Sequence, residues 1–210
     1  MKIAADNKQL GQSLIETLVA IFVLITGIVA ALGLGIYSFQ TSGRASEQII
    51  ATSLARQGVE AVKNIRDSNW KGGVLADCSA TMTAGQFCYS TWLGTGTKSL
   101  AAGTYAVKFD TVSQVQPWSL LAATTSFVLN YNPATGIYDV GGVGNPSIYS
   151  RKVVIAQNTA APFSVANPQL IVDSTVWYHD RKCPVTTDPS TLPASCKVTL
   201  ELHLTNWRNY

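Results

Sequence analysis

From Leu14 to Ile36 the chain runs for 23 residues with a single ionisable side chain, Glu16, and with Thr17 and Thr26 as its other polar interruptions. At about 1.5 Å rise per residue, such a run wound as a helix spans roughly 30 Å of hydrocarbon, so it predicts a transmembrane helix. Lys2 and Lys8, against Asp6, precede it. A positive flank before the span predicts a cytoplasmic N-terminus and an exported C-terminal part. A secretory signal would have a shorter apolar region followed by a small-residue cleavage site. Here the run gives way to Tyr37-Ser38-Phe39-Gln40-Thr41-Ser42, and the small residue that stands out is Gly11, ahead of it. That order fits cleavage that keeps the helix in the mature protein.

Glu16 is the residue that needs explaining. An ionised carboxylate in an apolar helix costs about 2.5 kcal/mol or more at the bilayer centre. A shallow position, reaching the headgroups, would avoid much of that cost. Otherwise the carboxylate needs a cation inside the membrane, and the chain offers none nearby. A second copy could supply one, as the free α-amino group made by cutting after Gly11.

The segment Gly11-Gln12-Ser13-Leu14-Ile15-Glu16-Thr17-Leu18-Val19-Ala20 resembles the prepilin cleavage and methylation motif of type IV pilins and type II secretion pseudopilins. The resemblance implies that Gly11 is the cleavage site, that Gln12 becomes the N-methylated first residue, and that Glu16 is the carboxylate that pairs with a neighbouring subunit's amine during filament assembly. It implies other pilin subunits, a prepilin peptidase and a pilus assembly platform as partners, with the membrane. Ser13 to Ile28 looks most like the PilV-type minor pilins, and also like the I-type minor pseudopilins. Two departures stand out. Gln12 replaces the common Phe, and methylation would keep its amine basic by blocking cyclisation. No proline precedes Pro117, so Gly27, Gly33 and Gly35 are the soft points of the helix. The Gly27/Ala31 and Ala31/Gly35 pairs permit close helix approach.

Past Phe39 the pattern turns amphipathic. Projected at about 100° per residue, Ile50, Ala51, Leu54, Ala55, Gly58, Ala61, Val62 and Ile65 share one arc, Arg66 falls with the polar residues, and Val59 strays. The helix is expected to end near Asp67-Ser68-Asn69. Strand candidates follow at Tyr105–Val112, Ser126–Tyr131, Ile148–Gln157, Leu170–Tyr178 and Lys197–Thr205, with a hairpin turn over Asn130–Gly136. Along the last, Val198, Leu200, Leu202 and Leu204 alternate with polar residues, which predicts one buried and one wet face. The expected fold is α+β: a long N-terminal helix, transmembrane in its first half, packed on an antiparallel β-sheet head. Its divisions are a leader over 1–11, a membrane or filament-core helix over 12–36, an amphipathic continuation over 37–69 and an exported head over 70–210.

The four cysteines, Cys78, Cys88, Cys183 and Cys196, all follow the apolar run, which suits an oxidising compartment. Three pairings are open, and short-loop preference selects Cys78–Cys88 and Cys183–Cys196. A net charge of +3 without any basic run gives no support for nucleic-acid binding. Gly94-Thr-Gly96-Thr-Lys98-Ser99 lacks the glycine before lysine that a phosphate loop needs. Asp67-Ser-Asn69-Trp-Lys71-Gly72 puts a lysine at a calcium-ligand position. No Cys-x-x-Cys pair supports zinc. No metal, cofactor or catalytic constellation is expected, and the chain reads as a non-enzymatic filament subunit of the inner membrane and then of an extracellular or periplasmic filament, a minor pilin ahead of a secretion pseudopilin. The competing class is a membrane-anchored exported binding protein or enzyme, which leaves Gly11 and Glu16 unexplained.

Overall fold

The computed structural model describes residues 14–70, 92–94, 96–110, 117–122, 126–142, 144–165 and 167–206. Gly11, Gln12, Cys78 and Cys88 lie outside the described residues. A 57-residue helix, α1, runs Leu14–Trp70. The chain divides after Ser46 into two units.

In the first unit almost every described residue is exposed. Its best 18-residue window has a mean hydropathy of 2.7 and none of it is buried, so this stretch is long and apolar enough to cross a membrane. The hydroxyls of the two threonines in the apolar run are closed off locally. The hydroxyl of Thr17 donates to the Leu14 carbonyl at 2.9 Å, and Thr26 donates to Phe22 at 3.0 Å and Val23 at 2.9 Å. Such back-bonding removes a polar demand that hydrocarbon could not meet.

The second unit is a seven-stranded antiparallel sheet with the remainder of α1 packed on it. The strands are β1 (Gly103–Phe109), β2 (Trp118–Ala122), β3 (Val128–Asn132), β4 (Ile137–Val140), β5 (Asn145–Asn158), β6 (Gln169–Tyr178) and β7 (Lys197–Leu204). β5 has 14 residues because it serves two partners along one edge. Gly103–Tyr105 of β1 pair with Val153–Ile155, while β3 takes the other half, from Asn145 to Ser150. β6 pairs the opposite edge of β5 from Tyr149 to Asn158, and β7 follows β6. The sheet therefore splits on one side, where β1 leaves β5 and runs on with β2 alone.

All five expected strands are present, with ends moved by up to three residues at either terminus. β2 and β4 were not expected. Both are short, at five and four residues, and neither alternates cleanly enough to stand out from its loops. The turn between β3 and β4 closes as expected, with the Gly136 amide donating to the Asn132 carbonyl at 2.8 Å. In β7, Leu204 is buried and Val198, Leu200 and Leu202 are half-buried, whereas Thr199, Glu201 and His203 are exposed. The inward side chains of an edge strand are only partly covered, because the sheet stops beside them.

The buried face of α1 comprises Ala51, Leu54, Ala55, Gly58, Val59, Ala61, Val62, Ile65, Arg66, Asn69 and Trp70. Val59 joins the core and Arg66 leaves the polar arc. The Arg66 guanidinium lies 4.5 Å over the Trp70 ring, pairs with Asp67 at 2.8 Å and donates to the Thr205 carbonyl at 3.4 Å. Its apolar stem covers the core while its charge is met by a ring face, a carboxylate and a carbonyl. The helix continues to Trp70, one residue past the expected end. Trp70 Nε1 donates to Asn206 Oδ1 at 3.0 Å, and Asn69 Nδ2 donates to the Trp92 and Lys98 carbonyls, both at 3.1 Å. These bonds pin the last turn to the loop before β1 and to the end of β7. Gly94 sits at φ +64°, and any Cβ there would overlap the Asn69 amide, so the anchor requires glycine.

Candidate functional site

Two features distinguish this chain from an ordinary α+β domain: an apolar helical surface that its own fold leaves uncovered, and a helix seat in the head built around a buried cation. Leu14, Ile15, Leu18, Val19, Ile21, Phe22 and their successors to Phe39 are 52–82% exposed. An apolar stripe of that extent is not stable in water, where burial of each such side chain is worth about 1.5–3 kcal/mol. Something outside this chain must cover it. Glu16 lies in the first described turn of that helix and is exposed. A Cβ added at Gly27, Gly33 or Gly35 would meet nothing within 4 Å, so these glycines answer no packing need within the chain itself.

The seat of the helix in the head is made by Arg151 on β5. Its residue is 0% exposed. Nη1 donates to the Leu54 carbonyl at 3.3 Å and to Gln57 Oε1 at 2.7 Å, and Nη2 donates to the Val107 carbonyl at 3.4 Å, while Nε has no partner. One guanidinium thus ties helix, central strand and the departing strand β1 together. Burial pushes its pKa down to about 10, and Asp139 opposes that fall. Asp139, on β4, spans the split in the sheet. Its Oδ1 accepts the Phe109 amide at 2.9 Å and the Val140 amide at 2.8 Å, standing in for the strand partner that Phe109 lacks on that side. Burial raises its pKa, against the pull of those two amides, Arg151 and Lys108. Close approach of α1 to β6 also depends on Gly58. A Cβ there would overlap Ser174 Oγ and come within 3.2 Å of Arg151 Cδ.

A cleft of about 280 Å³ opens beside the split, lined by Lys108, Asp110, Asn130, Asn132 and Asp139 among others. Its lining combines both charge signs with amides. Among the described residues no group of three or more His, Cys, Asp or Glu side chains is placed to hold a metal ion.

Cys183 and Cys196 are bonded, with Cα atoms 5.6 Å apart, and close the loop between β6 and β7. That loop is fixed from inside. Trp177 Nε1 donates to the Thr186 carbonyl at 2.9 Å, and the Tyr178 hydroxyl donates to the Ser195 carbonyl at 2.8 Å. Tyr178 packs on Tyr149, their centroids 6.1 Å apart, and Tyr149 packs on Tyr138 at 5.9 Å. Burial, then the neighbouring Tyr138, Glu47 and Tyr178, raise the Tyr149 pKa to about 12. The disulfide therefore shares one apolar cluster with Ala51, Leu54 and Ala55, the first helical residues seated in the head.

Arg151, Gln57 and Asp139 went unnoticed in the sequence, although a signal for the first exists. Tyr149, Arg151, Val153 and Ile155 are in phase on one face of β5, so the period-2 pattern places a cation on the core side. Asp139 carries no such signal, because its role arises from the split. Comparison with protein-family models, with curated proteins and with solved structures found no match to this chain.

Proposed function

We propose that this chain is a structural subunit of a type IV pilus or a related filament, trimmed after Gly11, N-methylated at Gln12 and held in the polymer through its apolar helix. The observation that carries the reading is the pairing of an uncovered apolar helix with one carboxylate at its start, Glu16, and a folded head at its end. A membrane accounts for the apolar surface before assembly. Neighbouring helices of the same kind account for it afterwards, and only they supply a counter-charge for Glu16. Within the filament class the N-terminal resemblance favours a minor pilin over a secretion pseudopilin. The head then faces outward on the exported side, and the protein has no catalytic role. Prepilin peptidase and the assembly platform are its expected partners, beside other pilin subunits.

Sequencing of the mature N-terminus separates this from a membrane-anchored exported binding protein: a start at Gln12 supports the filament reading, and a retained Met1 sinks it. Glu16→Ala tests assembly directly. The expected outcome is normal membrane level with at least tenfold less protein in sheared filaments. Equal incorporation of the two forms would remove the reason for placing Glu16 in a helix–helix contact.

A further inference from the structure

The cleft beside the split holds hydrogen-bonding capacity that the fold does not use. Its volume, about 280 Å³, lies just below the roughly 300–1,000 Å³ of drug-sized ligand sites, so it suits one small ring. Two cross-strand pairs line it, Asn130 with Asp139 and Asn132 with Ile137, together with Lys108 from β1. Among the described residues, the Lys108 ammonium, Asp139 Oδ2 and the Thr135 hydroxyl have no hydrogen-bond partner. Half of each amide is also open. Asn130 uses only Nδ2, on the Gly142 carbonyl at 3.1 Å, and Asn132 only Oδ1, on the Ala134 amide at 2.9 Å. Asp139 is 9% exposed, so its Oδ2 is an acceptor held almost inside the protein without a donor. A Cβ at Gly142 would stand 3.1 Å from that oxygen, so glycine at this position keeps it accessible.

The same groups restrict what can enter. Asp139 already faces the charges of Arg151 and Lys108, and Asp110, also in the lining, faces Lys98. A metal cation would meet Lys108, and an anion would meet two carboxylates, so neither finds an unmatched counter-charge. An added peptide strand is excluded as well, because the Phe109 amide on the open edge of β1 is taken by Asp139. The lining calls for a compact, uncharged molecule whose groups both donate and accept. Hydroxyls do both, and Ile137 offers apolar contact to the C–H groups that carry them.

We propose that this cleft binds one pyranose ring, with adjacent ring hydroxyls donating to Asp139 Oδ2 and Asn130 Oδ1 and accepting from Lys108 and Asn132. The site goes beyond the filament reading and does not depend on it. One small ring held by a few hydrogen bonds in an open cleft binds with a Kd on the order of 1 mM. A free monosaccharide and the end of a glycan share this chemistry.

The test uses the full chain in dodecylphosphocholine micelles, so that no sugar-headed detergent competes. Methyl pyranosides of glucose, galactose, mannose and N-acetylglucosamine are titrated in, and backbone and side-chain amide shifts are followed by NMR. The expected result is saturable shifts with at least one of them, centred on Asn130, Asn132 and residues 139–142. Affinity should fall about tenfold or more in Asp139→Asn and in Gly142→Ala, which crowds Oδ2 without removing a polar group. Lys108→Met, whose ammonium makes no hydrogen bond in the fold, should weaken binding with the spectrum otherwise unchanged. Running each free sugar beside its glycoside assigns the source: a tighter glycoside supports a glycan end, a tighter free sugar a monosaccharide. Absence of shifts with every pyranoside up to about 50 mM overturns the site. Equal shifts with glycerol, glycine or calcium chloride overturn it too, as does binding that Asp139→Asn and Lys108→Met both leave intact.

Discussion

A guanidinium with no exposed surface survives only where acceptors surround it, because an unmatched buried charge costs several kcal/mol. Arg151 meets that condition through Leu54 and Gln57 on α1 and Val107 on β1. Arg151→Met should therefore cost about 3 kcal/mol, since it leaves Gln57 Oε1 without its donor, removes a donor from two carbonyls and takes away one of the two cations acting on Asp139. A fall in the urea midpoint with an unchanged slope would show this, and Arg151→Met/Asp139→Asn should recover part of it. Tyr149 makes a second residue-scale case. Its folded pKa, about 12, lies above the ordinary tyrosine value of 10.0, so the folded state holds this proton more tightly than the unfolded chain does. Its contribution is then full below pH 10 and is lost as pH rises from 10 towards 12. Urea midpoints measured between pH 8 and 11 should fall more steeply for the native protein than for Tyr149→Phe.

At the scale of elements, the loop between β6 and β7 is held by its disulfide and by bonds from Trp177 and Tyr178. The cross-link spans a sequence separation of 13 residues. Loop-closure entropy assigns such a cross-link about 3 kcal/mol. Cys183→Ala/Cys196→Ala should lower stability by about that amount. Hydrogen exchange should rise first in residues 179–196, while β1 and β2, remote from the bridge in the sheet order, stay protected. The helix tells a related story. Its seated half depends on Gly58 lying against Ser174 and Arg151, so a small residue there is a packing requirement, unlike Gly27, Gly33 and Gly35, beside which the chain places nothing.

For the whole molecule, both apolar clusters of the described residues draw on the stretch from Ile50 to Leu204. The head therefore holds its core without the apolar half of α1. A chain beginning at Ser46 should fold cooperatively in plain buffer, with a urea midpoint close to that of the full chain in detergent. The full chain without detergent should aggregate through its exposed helix. Size-exclusion chromatography of the two separates these outcomes, and an unfolded truncated chain would mean that the first unit contributes to the core after all.

The sequence by itself determined whatever depends on local pattern. The apolar run from Leu14 to Ile36 specified a helix that water cannot cover, the 3.6-residue spacing from Ala51 to Ile65 specified which face of its continuation is buried, and alternation specified five strands. These properties arise from near neighbours along the chain and are legible there. The tertiary structure decided the rest. It split the sheet so that Asp139 could bridge to Phe109, drew Arg66 out of the solvent arc onto Trp70, and placed Arg151 where three elements converge. Asp139 reaches Phe109 across 30 residues of sequence, Arg66 reaches the Thr205 carbonyl across 139 and Arg151 reaches the Leu54 carbonyl across 97, separations at which local pattern names no partner and only the packed fold brings the groups together.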